Sequence, residues 1–391
     1  MTEETKYSDT SSLRSLRILQ MGSTAYRGGV STAITTLCKA LHKEGHEVML
    51  VSDGGDLDEL RAHGIQCMVT DFFPKFGSII RGSLAVNQSI RQFRPDVIHV
   101  HGRAPALLSY LSGRIPDWFT LHNTHFTDKV GLIDIGVLRR LLSPMGRHFF
   151  VLDEKAMTYM YQSMGVNPSK VEVIINGVDC NRYCEPSPEA RKQSRARFDI
   201  EDNQTFVLFV GRLHPSKQPE AVIAAAKALH DAGRNDVRFA IIGEGELEEK
   251  VRHDIEVAGI QNICKLYSWM DPLEAYFAAD LLVMPSLYEG FGLVALEALA
   301  TGLPVLRSRT GGSEKMIIEG QTGFCCETDI KGFIEQLMRI LSNPEQLLPM
   351  RSHARELVQK QLSSEAQAKM LIQHYRAKLG RKSLIKQQVY S

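Results

Sequence analysis

Charge of one sign is what this sequence most lacks: 46 Lys and Arg stand against 45 Asp and Glu, a formal net charge of +1. A protein that binds a duplex or RNA displaces counterions with a clustered basic excess, so nucleic acid is not an expected partner. Long apolar runs are missing as well. None approaches the roughly 18 residues of a membrane span, and residues 1–16 are polar with no hydrophobic signal core. A cytoplasmic protein is the expectation. Cysteine is sparse, with seven residues, and neither Cys180-x3-Cys184 nor Cys325-Cys326 has a partner pair at zinc spacing. The thiols are read as reduced and mostly structural. Gly243-x-Gly245 lacks the third glycine of a dinucleotide fingerprint, and residues 22–29 hold no Gly-x-Gly, which argues against a nicotinamide enzyme. Low-complexity tracts are absent too.

What is present is an alternation of short apolar strands and amphipathic helices. Arg17 to Gly22 reads as a strand, followed by a glycine loop and a helix with Val30, Ala33, Ile34, Leu37 and Leu41 on one face. Gly45 stops that helix, and His46 to Ser52 is the next strand. A crossover helix between consecutive strands implies that they are parallel. Further strands read at Asp96–Val100, Trp118–His122, His148–Leu152 and Val171–Ile175. After Asn176-Gly177-Val178-Asp179, the polar stretch Asn181–Gln204 reads as an interdomain linker. The alternation restarts at Phe206–Gly211, with strands Val237–Gly243, Asn262–Tyr267 and Leu281–Pro285 and helices Glu246–Ala258 and Pro272–Ala279. Ser364-x-x-Gln367 has the form of a capping box, opening a last helix that carries Met370, Leu371 and Tyr375 ahead of the basic tail Arg376–Lys386. The fold class is therefore α/β, with two doubly wound, Rossmann-like domains at 1–185 and 186–365 and a C-terminal helix and tail at 366–391. The 391 residues, 43% of them apolar, suffice for a core in each domain. Ligands in open α/β sheets bind outside the carboxyl ends of the strands, where the strand order reverses, so the chemistry is sought in the loops that follow strands.

The richest of these is Tyr288-Glu289-Gly290-Phe291-Gly292-Leu293-Val294, a glycine loop feeding a helix that carries Glu297. Gly290 and Gly292 let backbone approach a ligand closely, and the free amides of Gly292 to Val294 at a helix start suit an anion such as a diphosphate. Glu289 and Glu297 are eight residues apart, about 12 Å on a helical path, too far for the roughly 5 Å carboxylate pair of a retaining glycosidase. Beside a diphosphate they are better suited to accepting hydrogen bonds from hydroxyls of a sugar and a ribose. Arg212 and Lys217, after a buried-looking strand, supply fixed cations that stabilise a departing diphosphate without a metal. His99-x-His101 places two imidazoles on one strand face but no third ligand is apparent, so structural or cleft-lining roles are expected. Asp56-x-Asp58 reads as the cap of a short helix. Phe72 to Phe76 with Arg81, and Arg139-Arg140-Leu141-Leu142, combine apolar and basic residues that would allow a peripheral contact with an anionic membrane.

Glu289-x7-Glu297 resembles the signature of retaining glycosyltransferases of family 4, whose GT-B fold sets two Rossmann-like domains across a cleft with the C-terminal helix returning to the amino-terminal domain. Other segments match independently: Gly28-Gly29-Val30 resembles the family's amino-terminal glycine loop, Asn176-Gly177-Val178-Asp179 its hinge, Gly211-Arg212-Leu213-x3-Lys217 its first C-terminal loop, and Gly243-Glu244-Gly245 the second C-terminal strand end. The resemblance implies that Arg212 and Lys217 hold the donor diphosphate, that Glu289 and His122 face the donor sugar, and that Glu297 reaches the ribose. Gly28, Gly29, Trp269, Met270, Gly290, Phe291, Gly292, Leu293 and Val294 complete the donor site. It also implies an acceptor-binding amino-terminal domain, no metal or other cofactor, and a nucleotide sugar as donor, with UDP-sugars frequent in the family. The acceptor would be a saccharide, a lipid-linked sugar or a small molecule, in the setting of bacterial surface polysaccharide or glycolipid assembly. Tyr267-Ser268-Trp269-Met270 departs from the family, which commonly has a glycine there, and leaves the choice of base open. A sugar-nucleotide epimerase, a phosphorylase or an antibiotic glycosyltransferase on the same fold are the alternatives, as is a non-catalytic nucleotide-sugar binding subunit.

Overall fold

Strands β1 (Arg17–Gly22), β2 (Glu47–Ser52), β3 (Gln66–Val69), β4 (Val97–His101), β5 (Trp118–Leu121), β8 (His148–Val151) and β9 (Val171–Val173) form a seven-stranded sheet ordered β3-β2-β1-β4-β5-β8-β9. Between β5 and β8 the short strands β6 (Lys129–Val130) and β7 (Ile133–Asp134) pair antiparallel with one another. A six-stranded sheet, ordered β12-β11-β10-β13-β14-β15, contains β10 (Thr205–Val210), β11 (Val237–Ile242), β12 (Cys264–Tyr267), β13 (Leu281–Met284), β14 (Val305–Ser308) and β15 (Gly323–Cys326). The computed structural model describes residues 14–25, 28–72, 76–122, 129–130, 133–134 and 146–389. The chain divides into two compact units, one of 1–120, 141–149 and 372–391, the other of 121–140 and 150–371. Among the described residues no helix is long and apolar enough to cross a membrane.

The apolar run Phe206–Val210 shows why such sequences make parallel sheets. Alternate side chains of a strand leave opposite faces. Phe206, Leu208 and Val210 enter one core with Leu296 and Leu299, while Val207 and Phe209 enter another with Val222 and Ala226 of the helix Pro219–Asp231. Both faces are covered, so the run has no polar alternation. In the other unit the helix Gly29–Lys43 buries Ala33, Ile34, Leu37 and Leu41 as its spacing predicts, whereas Val30, in the exposed first turn, does not join the core.

Some local expectations are corrected. The fifth and seventh strands of the first sheet stop at Leu121 and Val173, short of His122 and Ile175. The polar stretch 181–204 is no loose linker: it contains the helix Pro188–Arg197, whose first turn is capped by the Ser187 hydroxyl accepting from the Ala190 amide at 3.1 Å. Arg191 and Arg195 of that helix reach the Asp280 carboxylate at 2.6 and 3.1 Å, and the same carboxylate accepts the Phe206 amide at 2.8 Å. Two of its three arginines are spent on one acid at the foot of the sheet, and the third, Arg197, pairs with Glu274, a use that composition does not reveal. The expected capping box also differs. Ser363, not Ser364, caps the last helix through the Ala366 amide at 3.2 Å, and Gln367 instead accepts the Gly177 amide at 3.0 Å. The last helix runs Ser364–Val389, and its part from Ile372 onward belongs with the first unit, where the Tyr375 hydroxyl meets the His99 ring at 2.6 Å.

At the carboxyl end of β11, a Cβ on Gly243 would lie 1.9 Å from the Gly211 carbonyl oxygen. Backbone cannot yield as a side-chain tip does, so Gly243→Ala is expected to cost about 2–3 kcal/mol of stability, read as a lowered urea midpoint. An unchanged midpoint would show that the two strand ends are free to part.

Candidate functional site

In the six-stranded sheet the strand order reverses between β10 and β13, and the loops leaving these two strands carry the sequence-predicted residues. After β10, His214 accepts the Ser216 amide at 3.1 Å and so caps the tight turn Pro215–Lys217. After β13, the Leu287 amide donates to the Ser216 carbonyl at 2.9 Å, joining the two loops by backbone. Across that join Lys217 Nζ lies 2.5 Å from Glu289 Oε1, and the Ser286 hydroxyl donates to the same oxygen at 2.8 Å. The Glu289 side chain is 9% exposed and that of Lys217 26%, so the pair sits at the rim of the core. An ammonium has three donors, and among the described residues this carboxylate is the one ion-pair partner of Lys217.

The glycine loop continues from Glu289 into the helix Leu293–Ala300. Gly292 precedes it with φ of 90°, a left-handed conformation that favours glycine. Leu293 and Val294 form the first turn, where helix amides lack internal partners. Phe291 is buried below. Gly311 and Gly312, after β14, lie on this loop so closely that a Cβ on Gly311 would stand 2.5 Å from the Glu289 carbonyl and one on Gly312 2.6 Å from the Phe291 ring. Glu297, one turn into the helix, is buried, 8% exposed. The Tyr276 hydroxyl donates to its Oε2 at 2.8 Å, and burial pushes its pKa up to about 7, against the lowering effect of hydrogen bonds from Tyr276 and Tyr183 and of the Arg182 charge.

Of the other expected residues, Arg212 is exposed on the loop after β10. Trp269 is 40% exposed, its amide donating to Glu244 at 3.2 Å, and Met270 is half-buried against the core. Gly28 and Gly29 open the helix after β1 in the other unit, where the preceding loop is held by Asp53 accepting the Thr24 and Ala25 amides at 3.0 and 3.1 Å. His122, just past β5, is half-buried, and burial lowers its pKa to about 4, so it is neutral at physiological pH. His99 and His101 are structural: His99 lies 2.6 Å from both the Tyr375 and Thr120 hydroxyls, and His101 2.7 Å from Gln20. Asp56 accepts the Asp58 amide at 3.2 Å, but the N-cap of the short helix Asp58–Ala62 is Leu57, which offers no side-chain cap, so Asp56 closes the turn before the helix rather than capping it. Phe72 is buried rather than exposed, which removes it from any membrane contact; residues 73–75 and 139–142 lie outside the described residues. Sequence reasoning missed Ser286, Tyr276 and Arg307. Arg307 alone left a signal, a lone cation in the apolar strand Val305–Ser308.

The loops after β10 and β13 thus bring Lys217, Ser286 and Glu289 together beside the start of the helix Leu293–Ala300, at the point where the strand order reverses. The family model described as "Glycosyl transferases group 1" matches residues 190–357, and "Glycosyltransferase Family 4" matches 27–182. Between them they span most of the chain, and it belongs to this family of glycosyltransferases. Curated relatives include the D-inositol 3-phosphate glycosyltransferases of Nocardia farcinica, 35% identical over 58% of this chain and 54% of that one, and of Rhodococcus jostii, 30% identical over 49% and 44%. The chain thus spans about half the length of the curated relatives it matches. Among solved structures, a glycosyltransferase from Rickettsia africae has a TM-score of 0.78 at 19% identity over 93% of this chain and 99% of its own. Anabaena HepE in complex with UDP and glucose has 0.77 at 20% over 92% and 99%. These likenesses establish the GT-B fold.

Glu297 generates a pH prediction. Its folded pKa, about 7, stands above its ordinary 4.5, so the stability it contributes is complete below 4.5 and is lost as pH rises through 7, to about 3 kcal/mol. Glu297→Gln should therefore melt near the wild type at about pH 5 and above it at about pH 8. Parallel melting curves across that range would show the carboxyl to be ionised at no cost.

Proposed function

We propose that this chain is a retaining hexosyl- or N-acetylhexosaminyltransferase that moves a sugar from a nucleoside diphosphate sugar, UDP-linked first, to an acceptor hydroxyl, without a metal. The observation that carries the reading is the Lys217–Glu289 pair beside the Gly292 helix start, where the strand order reverses. Arg212, Lys217 and the amides of Gly292 to Val294 take the diphosphate, whose negative charge grows as the sugar departs. Glu289 accepts a hydroxyl of the donor sugar, and neutral His122 faces that sugar as a hydrogen-bonding partner rather than a cation. Glu297 serves the ribose, with Trp269, Met270, Gly28 and Gly29 completing the donor site. A departing phosphate oxygen takes the acceptor proton on the same face, so no side-chain nucleophile is needed and retention follows.

The UDP and glucose complex of HepE supports UDP as the first base to try, and the inositol phosphate relatives support a polyol or saccharide acceptor. Bacterial surface polysaccharide or glycolipid assembly is the setting, with 1–185 taking the acceptor, 186–365 the donor, and 366–391 closing the chain. A cytoplasmic protein touching the membrane from its inner face is part of the same reading, supported by exposed Ile80 and Leu84 flanking Arg81.

A panel of UDP-, GDP- and ADP-sugars with saccharide and polyol acceptors, read by diphosphate release and product mass, tests the reaction. Transfer that persists in EDTA is expected; loss restored by manganese would sink metal independence, and a new sugar nucleotide formed without acceptor would identify an epimerase. Arg212→Ala and Lys217→Ala should each weaken diphosphate binding by about 1.5–3 kcal/mol. Glu289→Gln should lower kcat more than it raises KM, because its partner is the reacting sugar, and Glu297→Gln the reverse. If both glutamine variants changed KM alone, Glu289 would lose its assignment to that sugar.

A further inference from the structure

Arg307 is the third residue of β14, between Met284 of β13 and Cys325 of β15, and is 0% exposed. A guanidinium in such a place stays charged and is costly unless something requires it. Among the described residues no carboxylate forms an ion pair with it, and its Nε has no partner. Burial lowers its pKa, and the field of Glu289 opposes that lowering. Nη1 also meets the Met316 sulfur at 3.4 Å, and the oxygens that its remaining donors reach lie on two loops. Nη1 donates to the Phe291 carbonyl at 3.0 Å; Nη2 donates to the Gly311 carbonyl at 2.8 Å and to the Thr310 hydroxyl at 3.1 Å. Those are the loop that enters the helix Leu293–Ala300 and the loop that packs on it.

The consequence comes from the planar trans peptide, in which C=O and N–H point in opposite directions. Drawing the Phe291 carbonyl inward turns the Gly292 amide outward, and among the described residues no carbonyl accepts that amide. The left-handed φ of 90° at Gly292 completes the turn, and a Cβ there would stand 3.1 Å from Nη1. The same geometry at Gly311 turns the Gly312 amide away from the guanidinium. A fixed positive charge directly beneath an outward-facing amide and a helix start raises the affinity of that spot for an anion.

Building on the donor site proposed above, we propose that Arg307 is the positioning residue of its anion cradle: it pins the 291 and 311 carbonyls inward, presents the Gly292 amide to the diphosphate, and adds a buried charge behind it. Arg307 does not touch the ligand. A lysine at this position keeps the charge but lacks the planar fork that reaches two carbonyls at once.

Calorimetric titration separates this role from a merely structural one. The probes are the nucleoside diphosphate that the wild type takes best among UDP, GDP and ADP, and the matching nucleoside, which lacks phosphate. Arg307→Met should bind the diphosphate roughly tenfold or more weakly while binding the nucleoside as before, and Arg307→Lys should recover only part of the loss. Diphosphate affinity unchanged in both variants, or an equal loss for diphosphate and nucleoside, would overturn the proposal. Should Arg307→Met fail to fold, Arg307→Lys decides alone by the same comparison. A wild type that binds none of the three diphosphates would sink the donor site itself and this inference with it, whereas wild-type binding with indifferent variants would sink only the role of Arg307.

Discussion

The candidate site depends on the parallel pairing of β10 with β13, because only that neighbourhood brings the loop of Lys217 against the loop of Glu289. Both strands are wholly apolar at the pairing, Val207 opposite Leu281 and Leu208 opposite Leu282, and both are covered on each face. Their ends are fixed at both extremities. At the amino ends Asp280 ties the Phe206 amide to two arginines of the helix Pro188–Arg197; at the carboxyl ends the Leu287 amide reaches the Ser216 carbonyl. The loops that carry Lys217 and Glu289 thus leave strands whose ends are fixed.

Buried charge is handled in three ways within this unit. Asp280 is neutralised by Arg195 and Arg191 and also accepts a backbone amide, while Arg195 spends its other donors on backbone carbonyls. Glu297 is left without an ion pair at hydrogen-bond distance and lets its pKa rise, sharing its proton demand with Tyr276. Arg307 cannot shed its proton and is solvated by carbonyls instead. The first solution is what stability alone would choose; the other two leave a carboxyl with a raised pKa on the helix Leu293–Ala300 and, among the described residues, a cation without an ion pair beneath the loop that enters it. In the other unit His99, His101, Gln20, Thr120 and Tyr375 meet through side-chain hydrogen bonds and the contact of the two imidazole rings.

Much of this was legible in the residues. Short apolar runs and glycine-terminated helices locate ten of the thirteen strands of the two large sheets to within a residue or two, missing Gln66–Val69, Val305–Ser308 and Gly323–Cys326, and the order of strands and crossovers implies parallel sheets. Glycines forced by close approach, such as Gly243 and Gly292, stand out because no other residue serves there. The loop residues Arg212, Lys217 and Glu289 are readable because they follow buried strands directly. Where the reading failed, the polar stretch 181–204 and the box at Ser364, the side chains had found partners far along the chain: Asp280 for Arg191, Gly177 for Gln367.

The sequence by itself therefore determined the fold class, the alternation, and which loops could meet an anion, since these depend on local sterics, hydrophobic period and chemical type. Tertiary structure decided what each ionisable group became. Glu289 and Glu297 are the same residue type in one motif, yet one is paired with Lys217 at the rim and the other is buried under two phenols. The physical reason is that the free energy of a charge is set by the dielectric and donors around it, and those are supplied by residues that only folding brings near.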